Sequence, residues 1–319
     1  MSPPTNEIFV ELFGRTDVGQ HRKHNEDTFL VADLTARARS LKPEVRRHRL
    51  GANGTLLVVC DGMGGAAAGE VASQMAADTI YSHVTAAPQP SDRKALVGRL
   101  HAALENANQR IREMAARDIS RTGMGTTCSA CGIIGTTLVA AQVGDSRVYV
   151  IRGGRIAQVT RDQSLLNQML DTGQITEEAA ASFQHRNVIL QALGVVESVE
   201  PVFTSVGLCR GDIVVACSDG LSDSVSDGEI LSVVEEAGGD LVVACKSLTA
   251  TANRAGGPDN ITVLLAEVRG AGLPESTEQE ISVEPVACEE ARAQGRPKSG
   301  DLAKTETLPG RPGLAPRRE

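Results

Sequence analysis

Between Thr126 and Thr160 four short runs rich in Val, Ile, Leu and Thr follow one another: Thr126 to Ile134, Thr137 to Val143, Arg147 to Ile151 and Arg155 to Thr160. Only two or three residues separate each from the next, and Arg152-Gly153-Gly154 has the composition of a hairpin turn. A parallel pair needs a crossover of about a dozen residues or more, usually a helix, so these strands must pair antiparallel. That excludes a sheet built by strict alternation of strand and helix. Further β-like runs are Ile8 to Phe13, Thr28 to Ala32, Thr55 to Cys60, Val202 to Leu208, Asp212 to Cys217 and Ile261 to Val268. Val71, Met75, Ile80 and Val84 mark one long helix, and Leu96, Leu100, Leu104, Ala107, Ile111 and Met114 mark a second at the 3.6-residue period. Shorter helices are expected over Leu165 to Leu170 and after Asp227 and Asp240. Antiparallel strands with long helices to cover them predict an α+β fold.

The chain has 319 residues, 41% of them hydrophobic, enough for a sizeable core. A formal net charge of -8 gives no global attraction to nucleic acid or to an anionic membrane. No apolar run approaches the roughly 20 residues that cross a bilayer, and the N-terminus carries no secretory pattern. Seven cysteines, an odd number without a disulfide framework, suit a reducing compartment, so a cytoplasmic protein without a membrane span is expected. Cys128 and Cys131 form a lone CxxC, read as buried strand residues rather than a zinc site.

Composition changes near residue 270. From Ala271 onward lie six of the thirteen prolines and no aromatic residue, which predicts a disordered tail over 271–319 beyond a folded domain of residues 1–270. The tail's charge is segregated: six acids and no base from Glu275 to Glu290, then seven bases and two acids from Arg292 to Arg318. A second irregular piece, residues 36–49, carries six Arg or Lys against one Glu and is expected to be a basic surface loop.

Acids bracket the apolar runs. TLLVVC ends at Asp61-Gly62, TLVAAQV at Gly144-Asp145 and IVVAC at Ser218-Asp219-Gly220; Asp259 precedes ITVLLAEV, and Glu26 and Asp27 precede Thr28. Any one Asp-Gly is an ordinary turn, because Asp caps backbone N–H groups and Gly takes positive φ. If these acids converge, their repulsion calls for a cation, and hard oxygen donors suit Mg²⁺ or Mn²⁺. One Asp shared by two ions would make a binuclear centre of the kind that attacks phosphate esters. The stretch LLVVCDGMGGAAAGE also satisfies the dinucleotide fingerprint as Gly62-x-Gly64-x-x-Ala67. That reading needs an acid at the end of a second parallel strand, whereas Asp78, the nearest candidate, falls inside the first expected helix.

In order, TDVGQHRKHNEDTFLV, LLVVCDGMGGAAAGEVAS, GMGTTC, VGDSRVYVIRGG, CSDGLSD and GGPDNITVLL resemble the motifs of the metal-dependent Ser/Thr protein phosphatases, the PPM or type 2C family, especially its compact bacterial members. The resemblance spans Asp17 to Val268 and leaves the basic loop and the tail uncovered. It implies a four-layer αββα sandwich, two antiparallel β-sheets flanked by helices, with a flap region over 161–194. Carried over residue by residue, it implies that Asp61 bridges two Mn²⁺ or Mg²⁺ ions, with Asp219 and Asp259 completing one site and Glu26 and the Gly62 carbonyl the other. Asp145, Asp219 and Asp223 match a third-metal site, Arg22 the phosphate-binding arginine, and Asp27 and Asn260 supporting residues. Arg22 and Asp61 would be central to catalysis. The implied activity is hydrolysis of phosphoserine and phosphothreonine on phosphoproteins, opposing a cognate Ser/Thr kinase, by a metal-activated water. Cys60 and Cys217 are then packing residues rather than nucleophiles. The alternative is a silent member that binds phosphoproteins, which would be expected to lack some of these acids. Two departures stand out: Met63, where many relatives have a histidine that can act as general acid, and Gln163, where relatives commonly have histidine.

Overall fold

A computed structural model describes residues 6–64, 68–180, 183, 185, 187–276 and 280–287. Its strands are β1 (Phe9–Asp17), β2 (Thr28–Asp33), β3 (Ala38–Ser40), β4 (Arg46–Arg49), β5 (Thr55–Cys60), β6 (Gly62–Met63), β7 (Gly125–Thr126), β8 (Cys128–Ile134), β9 (Thr137–Val143), β10 (Arg147–Arg152), β11 (Arg155–Gln158), β12 (Val202–Gly207), β13 (Ile213–Cys217), β14 (Ile261–Arg269) and β15 (Glu284–Val286). The helices are α1 (Ala68–Thr85), α2 (Arg93–Arg117), α3 (Leu165–Asp171), α4 (Glu177–Ala180), α5 (Asp219–Ser222), α6 (Asp227–Glu236) and α7 (Leu241–Arg254). One sheet runs β11-β10-β13-β14-β1-β4 and the other β15-β12-β9-β8-β5-β2-β3.

The inner strands β5, β8, β9, β13 and β14 are buried along nearly their whole length because both faces of each sheet are covered. On β5, Leu56, Val58 and Cys60 join the cluster of Ala72 and Ile80 from α1 and Leu100 and Leu104 from α2. Leu57 and Val59, pointing the other way, meet Val214, Leu264 and Ala266 of the opposite sheet. On β14 the alternate residues Val263 and Leu265 pack under Leu248 and Ala252 of α7. The result is the α+β sandwich of four layers, helix, sheet, sheet, helix. Each fully buried aliphatic side chain contributes about 1.5–3 kcal/mol.

The basic segment is not simply a loop. Within it, β3 pairs with β2 (Val31↔Ser40) and β4 with β1 (Leu12↔Arg46), each as an outermost strand. Charged edge strands resist pairing with other chains, and the arginines find acids nearby, as in Arg49–Glu7 at 3.1 Å. The composition change at residue 270 likewise does not end the ordered chain. Leu273 and Ile281 are buried between the sheets, and β15 pairs with β12 (Phe203↔Val286). Apolar residues spaced among the acids of this stretch, Leu273, Ile281 and Val286, are what hold it down. The expected disorder of 288–319 lies outside the described residues.

Strand register gathers the acids. Thr28 sits opposite Cys60, so Glu26 and Asp27 meet Asp61 just beyond the two strand ends. Cys217 sits opposite both Arg147 and Val263, which brings Asp219, Asp145 and Asp259 to the same end of the other sheet.

Candidate metal centre

The turn after β5 holds Asp61 by its backbone. Thr126 Oγ1 and the Thr127 N–H donate to the Asp61 carbonyl at 2.8 and 2.9 Å, and the Asp61 N–H donates to Thr127 Oγ1 at 3.1 Å. Gly62 follows in the short ladder β6–β7, opposite Thr126. A Cβ on Gly62 would collide with the carbonyl oxygens of Gly69 and Glu26. One on Gly69 would fall 2.8 Å from Glu26 Oε2. The two glycines therefore let α1 press against the turn with the Glu26 carboxylate between them.

Asp27 lies beneath this turn, 7% exposed. Its Oδ2 accepts from Ser218 Oγ and Thr262 Oγ1, both at 2.7 Å, whereas Oδ1 is buried with no hydrogen-bond partner among the described residues. Burial pushes the Asp27 carboxyl up to about 7 against those two hydrogen bonds. Burial, then the charges of Asp27 and Asp219, push Asp61 far above the ordinary carboxylate range. Burial pushes Asp219 up to about 6, against its interaction with Asp61, and its Oδ1 has no partner among the described residues. Asp145 is pushed up to about 8 by burial, then by Asp219, Asp162 and Asp223. Asp145, Asp219 and Asp223 line one cleft of about 270 Å³ together with Arg147, Asp162, Ser164, Leu166 and Asn167.

Arg22 reaches the centre from the loop between β1 and β2. Its Nη2 donates to Asp259 Oδ2 at 2.6 Å, and the charges of Asp61 and Glu26 also act on it. Asn260 fixes that loop: Nδ2 donates to the carbonyls of Val18 and His24, both at 3.0 Å, and Oδ1 accepts the Glu26 N–H at 2.8 Å. The structure thus brings Arg22, Glu26, Asp27, Asp61, Gly62, Asp219, Asp259 and Asn260 to one locus, with Asp145 and Asp223 beside it across Asp219.

Among the described residues no three His, Cys, Asp or Glu side chains stand ready to hold a cation as they lie. Arg22 occupies Asp259, and Asp61 and Asp219 act on one another at close range. The donor set still fits a hard divalent ion. Burial, and then their neighbouring charges, raise the carboxyls of four acids, and two buried oxygens, Asp27 Oδ1 and Asp219 Oδ1, lack a partner among the described residues. Buried acceptors left in that condition cost free energy that a cation recovers.

Cys60 and Cys217, beside the two central acids, are fully buried. Neighbouring Cys128 together with burial raises the Cys60 thiol, and burial pushes Cys217 up to about 12, so neither is a thiolate near neutral pH. Cys128 and Cys131 face opposite sides of β8, one toward the helices and one toward the other sheet, and cannot share a metal. Sequence reasoning passed over Thr126, Thr127, Ser218 and Thr262. Ser218 directly precedes Asp219 at the end of an apolar run, a signal that could have found it; Thr126, Thr127 and Thr262 have no acid beside them in the chain and meet the acids only through the fold.

A family model described as Protein phosphatase 2C matches residues 45–253. Protein phosphatase PhpP of Streptococcus pneumoniae is 36% identical over 262 residues, covering 81% of this chain and 98% of its own length. Serine/threonine protein phosphatase PstP of Mycobacterium tuberculosis is 39% identical over 261 residues, 82% of this chain and 45% of PstP. A crystal structure of the PstP catalytic domain in complex with two manganese ions superposes with a TM-score of 0.67 at 34% identity, covering 82% of this chain and 99% of that one.

Proposed function

The chain belongs to the protein phosphatase 2C family, and on that premise we propose that it is a metal-dependent protein phosphatase hydrolysing phosphoserine and phosphothreonine on proteins. The observation that carries the reading is the meeting of acids from both sheets, with buried oxygens unpartnered among the described residues, beside Arg22. Asp61, Asp219, Asp259, Glu26 and the Gly62 carbonyl would hold two Mn²⁺ or Mg²⁺ ions, and Asp145, Asp219 and Asp223 a third. When bound, such ions supply Lewis-acid stabilisation of phosphoryl oxygens and lower the pKa of water to near neutrality.

The chain's own residues do the rest. Arg22 exchanges Asp259 for the substrate phosphate, whose oxygens its planar fork can engage in pairs. Asp27 holds the Ser218 and Thr262 hydroxyls, and Asn260 the Glu26 backbone N–H, in place around the acids. Met63 offers no proton, so the departing Ser or Thr oxygen is protonated by water rather than by a side chain at that position. The raised thiols of Cys60 and Cys217 exclude a phosphocysteine route. A silent phosphoprotein-binding member is not favoured, because every acid of the implied ligand set is present.

Such an enzyme opposes Ser/Thr kinases, and we place a cognate kinase and the cytoplasm in its setting. The six free cysteines among the described residues support a reducing compartment. The test is hydrolysis of p-nitrophenyl phosphate and of a phosphothreonine peptide with Mn²⁺, Mg²⁺ or chelator. We expect Mn²⁺-dependent turnover that Asp61→Asn and Asp219→Asn each nearly abolish. Turnover that survives chelation, or none with either metal, sinks the proposal.

A further inference from the structure

Asp145 sits in a turn whose flanking carbonyls share one donor. Gln142 Nε2 donates to the Gly144 carbonyl at 3.0 Å and to the Ser146 carbonyl at 2.6 Å. The Gln142 Oε1 accepts from Ser129 Oγ at 2.5 Å, and that hydroxyl also lies 2.8 Å from the Ser146 carbonyl. Ser146 Oγ is 2.7 Å from Thr127 Oγ1, the atom that accepts the Asp61 N–H. These four side chains, Thr127, Ser129, Gln142 and Ser146, are at most 2% exposed. They run without a break from the Asp145 turn to the Asp61 backbone.

Gln163 closes this network from outside. Its backbone N–H donates to the Gly144 carbonyl, and its Oε1 accepts the Gly144 N–H, both at 2.9 Å. Its Nε2 donates to the Glu200 carbonyl at 3.1 Å, and its own carbonyl accepts the Leu190 N–H at 2.8 Å. One glutamine thus ties both ends of the 161–194 segment to the peptide that precedes Asp145. Gly144 has φ of +95°, a conformation that a residue with a side chain rarely adopts, and the bonds from Gln163 hold both its N–H and its carbonyl. A neutral, two-ended amide of this length can do that; a purely apolar side chain cannot.

We propose that Gln163 is a positioning residue, which locks the Asp145 turn to the base of the 161–194 segment and, through Gln142, Ser129, Ser146 and Thr127, keeps Asp145 and Asp61 in fixed relation. The proposal rests on reading these acids as cation ligands. Losing the bond to Gly144 should weaken cation binding by about tenfold, the effect of one buried hydrogen bond.

Two variants of the full chain test it. Gln163→Met keeps the length and loses both polar ends, whereas Gln163→Glu keeps the acceptor for Gly144. The readouts are Mn²⁺ binding by calorimetry and amide exchange over residues 143–146. We expect Gln163→Met to bind Mn²⁺ about tenfold more weakly and to exchange faster at Gly144, with its melting temperature little changed. Gln163→Glu should restore slow exchange; its added charge can only tighten cation binding, so rescue is read at the amide. Unchanged exchange in Gln163→Met, faster exchange with unchanged Mn²⁺ binding, or equal loss of protection in both variants overturns the proposal. A parent protein that binds no Mn²⁺ would instead defeat the metal reading, with exchange still reporting on the turn.

Discussion

Stripped of divalent ions, the folded protein should become less stable as pH rises from 5 to 7. Asp27 is pushed up to about 7 and Asp145 up to about 8, in both cases chiefly by burial. In the unfolded chain each ionises near 3.9, so at pH 6 the native state holds about two protons that the unfolded chain has released. Each such proton lowers the unfolding free energy by about 1.4 kcal/mol per pH unit, which gives a fall of at most about 3 kcal/mol per unit for the pair. Asp61 pushes in the same direction. Acids of the opposite kind do not cancel the trend. Asp17, for example, is held below its ordinary value by Arg15 despite partial burial, and the stability it adds is complete above about pH 4 and lost only on acidification. Against a total of about 5–15 kcal/mol the fall is large. The chain has no Trp, so urea unfolding is followed by far-ultraviolet circular dichroism, in chelator and in saturating Mn²⁺. Cation binding expels the same protons, so Mn²⁺ should flatten the slope. A chelated protein whose stability is level or climbs between pH 5 and 7 would refute the account of these acids.

Arg152→Met should destabilise the protein by about 3–5 kcal/mol, because it strands Asp212, fully buried and held by Arg152 Nε and Nη2 at 2.8 and 2.6 Å. Adding Asp212→Asn should recover part of the loss in urea titrations, and no recovery would count against the charge argument. Gly69→Ala sets a methyl 2.7 Å from the Gly62 carbonyl carbon and 2.8 Å from Glu26 Oε2, so we expect a loss of about 1–3 kcal/mol together with weaker Mn²⁺ binding by calorimetry. Wild-type Mn²⁺ affinity in that variant would show that the close approach does not shape the site. Removing residues 288–319 should leave p-nitrophenyl phosphate turnover within about twofold, whereas removal from Ala271 should lower the melting temperature by exposing Phe203 and the inter-sheet cluster. Equal melting temperatures for the two truncations would contradict the packing of Leu273 and Ile281.

Strands β5 and β9 were legible to the residue, because being buried on both faces makes them unbroken apolar runs with sharp ends. The run expected from Thr126 to Ile134 proved to be two strands, parted at Thr127. That break follows from the clamp on Asp61, a partner 66 residues away that local propensity does not register. The edge strands β3 and β4 were hidden for a different reason. Their arginines face water or nearby acids, so they carry no apolar pattern to read. The acids of the centre were visible because each abuts an apolar run. Their supports were not: Asn260 acts on a loop more than 230 residues distant, and Gln163 acquires its role only once the Gly144 turn lies against it.

Glu26 and Asp61 belong to strand ends of one sheet, and Asp219 and Asp259 to those of the other. No contiguous stretch of chain, and neither sheet alone, carries the full set. With the ligand set proposed above, cation retention would be an assembly gauge: it could register only after the two halves of the sandwich have docked in register. A partly folded chain or a separated half would be blind to Mn²⁺, and titrating the ion during refolding would time the moment at which the two sheets come together.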